Sequence, residues 1–559
     1  MTPLDWVIIA VYFSILGTVA WWSSRKQDTT ADYFLAGRNI GWFAIGGSLF
    51  ASNIGSEHIV GLAGQGATTG MAMAHWELHA WVLVMLSWIF VPFYYRTGVY
   101  TIPEFLEKRF NAKARGILSV VSLVAYVFTK VSVTVYAGAV VFKTLLPDTF
   151  GSPENAFWIG AFATVVLTGI YTIFGGFRAV LYTDTAQSVV LLLGSVFITY
   201  FGLQKLGGWG ELQRICGGDN AAQFALWRPL SDPGFPWLGI LIASPIVGIW
   251  YWCTDQYIVQ RTLAAKDLKN ARRGALWGAL LKVWPVLIFL VPGLIGYALH
   301  QKGIIEIPLK EDHSLNGDQV FPTMVSSLLP TGLRGLVVAG LLAALMSSLS
   351  SLFNSSASLF TVDIYEKLRP GQSEKHLVRV GRVATAVIVV LGIMWIPVMP
   401  LISGGGLYQY LQSVQGYLAP PITAVFLLGL FWNRVNASGA VWGLGVGFVL
   451  GLGKLTIQAL FGSAPEKIQS PEILALIGDF NFLYFTGVLF AISVMVVVVV
   501  SMLTPPPRED QLVGLTYASI TGEARKEVRA SMGGFEYALT ALVLGLVLCM
   551  YLYFSFWLG

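Results

Sequence analysis

The sequence predicts an all-α membrane protein with about fourteen transmembrane helices, and three observations predict it. Of 559 residues, 55% are hydrophobic and only 12% charged, with a mean hydropathy of +0.68, which departs from soluble averages toward a multi-span membrane protein. Apolar runs repeatedly reach about 18 to 25 residues, the helix length that crosses about 30 Å of hydrocarbon. Basic residues also alternate between sides. With the N-terminus outside, the inner loops, among them 25–39, 96–115, 261–274, 365–382 and 505–530, hold about 24 of the 35 Lys and Arg, and the outer loops about 8. That asymmetry is the positive-inside rule. The net charge of +5 therefore belongs to loops facing anionic lipid rather than to a nucleic-acid footprint.

Taken in order, the crossings lie near 4–24, 42–68, 73–95, 114–142, 156–174, 179–203, 237–259, 275–299, 333–360, 383–401, 405–432, 438–461, 481–503 and 535–557. The first has Asp5 near its start and Arg25 and Lys26 after it. This is the reverse of a cleavable signal peptide, so it is expected to stay as a helix with its N-terminus outside. An even number of crossings then returns the C-terminus outside.

The second run contains "SLFASNIGSEHIVGLAGQGATTG", with Asn53, Ser56, Glu57 and His58 between glycines. Such a stretch interrupts a helix near mid-membrane, which is tolerated only where freed backbone groups face protein or a water-lined cavity. Half-helix ends and bare carbonyls suit a cation and a polar substrate. A second interruption is expected in the seventh run, "SPIVGIWYWCTDQYIVQ", with Pro245, Gly248, Thr254, Asp255 and Gln256. With the N-terminal helix set aside, the two breaks fall in the first and sixth of ten crossings. These are corresponding positions of two five-helix units, as expected for inverted repeats around a site.

Other polar groups lie at depth. Glu77 in "MAMAHWELHAWVLV" and Lys282 in "GALLKVWPVLIFL" are lone charges, and a charge there has a partner or a cavity; an interhelical salt bridge and a hydrophilic site are both open. The ninth run, "AGLLAALMSSLSSLFNSSASLFTVDIY", has small residues that suit close helix packing. Its serine hydroxyls also suit a hard cation such as Na⁺, whereas a proton site would rely on a titrating carboxylate or histidine. Lys130 and Lys454 are expected to snorkel or meet headgroups and are given no role. Residues 205–235 and 300–332 read as outer loops, and 505–534 as a charged inner connector.

Three separated cysteines give no disulfide scaffold. His58 and His75 lack ligand-spaced carboxylates or thiols and read as packing residues. No P-loop, nucleophile elbow, zinc motif or nucleophile-and-base pair is present, so the expectation is not an enzyme, and no obligatory protein partner is evident.

The segments "DYFLAGRNIGWFAIGGSLFASNIGSEHIVGLAG", "YTIPEFLEKRF", "GGFRAVLYTDTAQ", "WYWCTDQYIVQRTLAAK", "MSSLSSLFNSSASLFTVDIY" and "YLAPPITAVFLLGLFWNRVNASGAVWGL" resemble the sodium/solute symporter family, and within it the sodium/glucose cotransporters, up to about residue 505. The resemblance implies a leucine-transporter-type core: an extra helix and inner loop (1–39), a first five-helix repeat (40–204), an outer loop (205–235), a second repeat (236–435) and flanking helices (436–559). It implies one Na⁺ held by the carbonyls of Ala51, Ile54 and Ala344 and the hydroxyls of Ser347 and Ser348. A second Na⁺ is permitted at Asp184, Ser350 and Ser351. The implied sugar pocket is Asn53, His58, Glu77, Tyr251, Trp252, Lys282 and Gln412, gated by Tyr251 and Trp76.

The implied function is inward Na⁺ movement coupled to uptake of a hexose such as glucose or galactose; a symporter for myo-inositol or another solute, and a sugar sensor, are the rivals. Gly248 and Ala80 depart from the hydrogen-bonding residues of relatives, which leaves one sugar hydroxyl to water or unread. A short, cysteine-poor stretch at 303–320 favours a bacterial inner membrane, where the protein would sit as a multi-pass protein of the plasma membrane.

Overall fold

The computed structural model describes residues 2–24, 27–147, 149–310, 313–395, 397, 407–461 and 472–557; Arg25, Lys26 and the side chains of Ser56 and Glu57 lie outside the described residues. Among these no strand forms. The chain opens with α1 (Pro3–Ser23), capped by Thr2 and Asp5 reciprocally. Asp5 is fully buried because its Oδ1 also accepts the amides of Gly332 (2.8 Å) and Gly335 (2.9 Å). The acid in the first turn of the first crossing thus ties it to the start of a central helix.

The second crossing is two half-helices, α2 (Trp42–Asn53) and α3 (Ser56–Thr68). Next come α4 (Gly70–Thr97), α5 (Ala112–Leu145), which has a π-turn at Tyr126–Val131, and α6 (Pro153–Leu206). With 54 residues, α6 would extend about 81 Å if straight, far more than one crossing needs. It doubles back at Gly176, whose φ of 57° and ψ of −166° belong to a region that only glycine enters readily. A Cβ on Gly160 would strike Phe142 near the end of α5, and one on Gly202 would strike Ile295 near the end of α9, so both ends of α6 sit at the same face of the bundle.

The second half repeats the device. α7 (Trp237–Thr254) ends in a π-turn, and α8 (Gln256–Leu263) continues after a break at Asp255. α9 (Leu268–Gln301), α10 (Leu333–Leu368), α11 (Glu374–Trp395), α12 (Leu407–Phe431), α13 (Ala437–Leu460), α14 (Phe482–Leu503) and α15 (Gly534–Ser555) follow. Among the described residues twelve helices are long and apolar enough to cross a membrane. With α6 counted as two and α2–α3 as one more, the crossings number fourteen.

Burial sorts them. The most apolar stretch of α10 is 94% buried, that of α15 only 22%, so α10 is central and α15 faces lipid. Small residues make this possible, since Gly194 on α6 brings its backbone against Val337 of α10.

Two sequence expectations need correction here. Lys454 does not reach headgroups; its ammonium donates to the carbonyls of Ile477 and Gly478 at 2.8 Å each and so caps the end of the short helix Glu472–Asp479. Arg261 and Arg272, counted among inner-loop charges, are 0% and 2% exposed. Burial supplies them with partners that a loop cannot.

Candidate functional site

An α-helix leaves its last four carbonyls without intrahelical partners, and α2 ends in mid-protein. Ile54 (φ −90°, ψ 89°) has left the helical region and Gly55 (φ −88°, ψ 177°) is extended. The Gly55 amide turns to His58 Nδ1 at 3.4 Å, away from the Ala51 carbonyl. One freed carbonyl, that of Ser52, accepts the Tyr257 hydroxyl from α8 and the Ser348 hydroxyl from α10 (3.2 Å). The next serine, Ser347, donates to Asp184 Oδ1 at 2.7 Å. Each hydroxyl has its proton committed and keeps a lone pair for a cation. Ala51, Ile54, Ala344, Ser347 and Ser348 are all buried on the two facing elements.

Asp184, on the second arm of α6, collects Ser48 (2.6 Å), Ser52 (2.9 Å) and Ser351 (3.4 Å) besides Ser347. Ser350 is directed elsewhere, donating to the Ser347 carbonyl of its own helix at 3.0 Å. Arg261, on α8, sits 3.6 Å from Asp184 and also donates to Ser48, Ser52 and Ser351. Sequence reasoning missed this arginine. Its signal was its position five residues past Thr254–Asp255–Gln256, inside "WYWCTDQYIVQRTLAAK".

The side chains of Asn53, His58, Trp76, Glu77, Tyr251, Trp252, Lys282 and Gln412 line one cavity of about 40 Å³. Lys282 Nζ bridges Glu77 Oε2 (2.5 Å) and Asn53 Oδ1 (2.7 Å), with the Trp252 ring 5.5 Å away. Asn53 Nδ2 in turn donates to the Tyr251 hydroxyl (3.2 Å). Desolvating two charges is not repaid by stability alone, so a pair buried at this depth points to a polar chamber. Gln412 Oε1 and Trp76 Nε1 are buried with no hydrogen-bond partner among the described residues, which is costly unless a ligand supplies one.

His79, Lys130, Thr134, Tyr257 and Gln415 also line the cavity and were not anticipated. His79 stands where a side chain at Gly248 would go, its ring 3.0 Å from that position, and it pairs with Ser244 at 2.8 Å. The departure at Gly248 is thus filled by an imidazole from α4.

Lys130 corrects the expectation of snorkelling. Its ammonium lies 2.6 Å from Asp255 and 4.6–5.2 Å from the rings of Tyr126, Trp250, Tyr251 and Tyr257. Aromatic faces and a carboxylate satisfy it where water cannot. The second break also falls later than its proline and glycine suggest. Pro245 and Gly248 stay within α7, and the chain opens at Asp255 (φ −83°, ψ 124°), which caps α8 through the Tyr257 amide at 3.4 Å.

His75 bridges Tyr551 (3.2 Å) and the Leu226 carbonyl (3.1 Å), a packing role. Among the described residues no cluster of His, Cys, Asp and Glu could hold a metal ion.

Fourteen crossings, two of them unwound around a buried serine-rich helix and a polar chamber, define a membrane transporter with leucine-transporter-type inverted repeats. Solved structures share the fold. A Na⁺-coupled sialic acid symporter in a substrate-bound outward-open state superposes with a TM-score of 0.75 over 90% of this chain and 99% of its own, at 23% identity. A nucleobase-cation-symport-1 family transporter gives 0.52 over 87% and 98%, at 16%.

The chain belongs to the sodium:solute symporter family, which matches residues 33–447. Sodium/glucose cotransporter 4 of Danio rerio is 38% identical, over 92% of this chain and 80% of its own. Sodium/glucose cotransporter 1 of Oryctolagus cuniculus is 39% identical, over 90% and 79%. Sodium/myo-inositol cotransporter 2 of Homo sapiens is 39% identical, over 92% and 79%.

Proposed function

We propose that this protein takes up a hexose, such as glucose or galactose, by coupling it to inward movement of Na⁺. The observation that carries the reading is the position of Asn53. It is the last residue of α2, its side chain joins Lys282 and Tyr251 in the chamber, and the carbonyls on either side of it belong to the break. Ion and sugar therefore meet on one segment.

In this reading Na⁺ is held by the Ala51, Ile54 and Ala344 carbonyls and the Ser347 and Ser348 hydroxyls. Sugar hydroxyls, which both donate and accept, are read by Asn53, His58, Glu77, Lys282, Gln412 and His79, while Tyr251 or Trp252 covers a C–H face. A cavity of about 40 Å³ holds only two or three waters, so a monosaccharide enters as Tyr251 and Trp76 swing aside; these are the gates. Asp184 with Ser351 and Ser350 would take a second Na⁺ only if the Arg261 guanidinium withdrew, which favours one ion per sugar.

Sodium stabilises the arrangement whose chamber is formed, and sugar then binds a state already populated. Each Na⁺ crossing −100 mV contributes about 2.3 kcal/mol, enough for about fifty-fold accumulation. The basic-residue asymmetry favours both termini outside, and the short, cysteine-poor stretch at 303–320 favours a bacterial plasma membrane. The repeats then comprise 40–204 and 236–435.

Radiolabelled glucose uptake into proteoliposomes tests the proposal, with an inward Na⁺ gradient expected to concentrate label and K⁺ or choline gradients not to. Equal accumulation in all three overturns it. Binding without accumulation would make the protein a sensor. The 39% identity to a myo-inositol cotransporter favours one second reading, a polyol substrate, which competition by myo-inositol against glucose and galactose decides.

A further inference from the structure

On the membrane-facing side of the bundle, α5, α10 and α11 part to leave an apolar groove of about 570 Å³. Val127 of α5 and Phe360 of α10 form its floor, and Val383, Val387 and Leu391 of α11 its wall. The wall valines are 59% and 51% exposed, so the groove opens to lipid. Its origin is local: both floor helices carry π-turns at this level, Tyr126–Val131 and Leu359–Tyr365. A π-turn shifts side-chain register relative to a regular α-helix, and ridges that would fill the gap are rotated out of it.

With the orientation of the proposed function, on which this inference rests, the groove begins at the cytoplasmic end of α11, beside the basic segment 365–382, and the helix rises about 18 Å between Arg379 and Leu391. That is close to the depth of one leaflet, about 15 Å of hydrocarbon. Spread over that length, 570 Å³ gives a cross-section of about 30 Å², against about 80 Å² for a bare helix about 10 Å wide. A hydrocarbon chain fits and a polypeptide helix does not. Arg379 lies at the mouth, exposed, with no ion pair among the described residues. Its acidic neighbour in sequence, Glu374, is committed to Thr30 at 2.8 Å, and His376 to the Tyr365 hydroxyl at 2.8 Å.

We propose that this groove binds an inner-leaflet phospholipid with an anionic headgroup, one acyl chain along α11 and the headgroup on Arg379. Val127 lies one helical turn from Lys130, which lines the central cavity, so the chain braces the segment that presents that lysine.

The test is native mass spectrometry of the full chain released from nanodiscs containing equal phosphatidylglycerol and phosphatidylcholine. Wild type should retain phosphatidylglycerol about fivefold over phosphatidylcholine, the worth of one basic residue near anionic lipid. Arg379→Gln should abolish the preference, Arg379→Lys and Arg369→Gln should keep it, and Val387→Trp, filling the groove, should lose both lipids. Melting in lipid-free detergent, expected unchanged in all variants, separates lipid loss from unfolding. Equal retention of both lipids by wild type, an undiminished preference in Arg379→Gln, or a stoichiometric polypeptide in place of lipid overturns the proposal.

Discussion

The chain is unwound twice, and the two breaks solve the same problem in opposite ways. At Ile54–Gly55, freed carbonyls gather beside serine hydroxyls, and the chain's own cation, Arg261, reaches the hydroxyls of Ser48, Ser52 and Ser351 but, among the described residues, donates to none of those carbonyls. At Asp255 the chain supplies its own cation, Lys130, locked between a carboxylate and four rings. In the proposed function the first break is completed from outside, by Na⁺. The second is completed from within, and it acts as the fixed abutment against which the first can respond.

The largest expected effect falls on the self-completed break. Asp255→Asn leaves Lys130 uncompensated in a buried site, which should cost about 3–5 kcal/mol, read as a lower melting temperature in detergent. Lys130→Met added to it should recover much of that loss. If Asp255→Asn melts like wild type, the contrast between the breaks collapses.

Next come the chamber groups. Gln412→Ala or Glu77→Ala should weaken sugar binding by about 1–3 kcal/mol, measured as the half-saturating sugar concentration at fixed Na⁺. Lys282→Ala should act alike; either single variant also strands its buried partner and lowers expression, which Glu77→Ala with Lys282→Ala should restore without restoring uptake. Wild-type uptake by both single variants at Glu77 and Gln412 would remove the chamber from the account.

At the first break, Ser348→Ala should raise half-saturating Na⁺ about tenfold, the loss of one oxygen ligand to a charge, with melting nearly unchanged. An unaltered Na⁺ dependence would show that this break is completed by something else. The smallest effect belongs to the strut between the breaks. Tyr257→Phe removes the hydroxyl on the Ser52 carbonyl, about 0.5–1.5 kcal/mol. It should shrink the change that sugar makes in Na⁺ affinity and the change that Na⁺ makes in sugar affinity by one common factor, since coupling is reciprocal.

The helices and the first break were legible because both depend on local pattern: apolar length sets a crossing, and glycines beside Asn53 and His58 interrupt one. Glu77 and Lys282 were legible as depth-buried charges needing company. What escaped depends on partners far away in sequence. Lys130 finds Asp255 across 125 residues, and Lys454 finds carbonyls that exist only because another helix ends nearby. His79 fills the gap at Gly248 from a different helix. Of the residues read as the second interruption, Pro245 stays inside a packed helix, which tolerates a proline lacking one amide, and the opening falls at Asp255, which caps the next helix.

The turn at Gly176 joins two crossings without a connecting loop. A loop absorbs relative sliding of the segments it links, whereas a single left-handed residue in an otherwise continuous helix leaves almost no slack. The arm that carries Asp184 is therefore yoked to the arm before it, and any tilt that repositions the serine cluster must swing both rods as one lever.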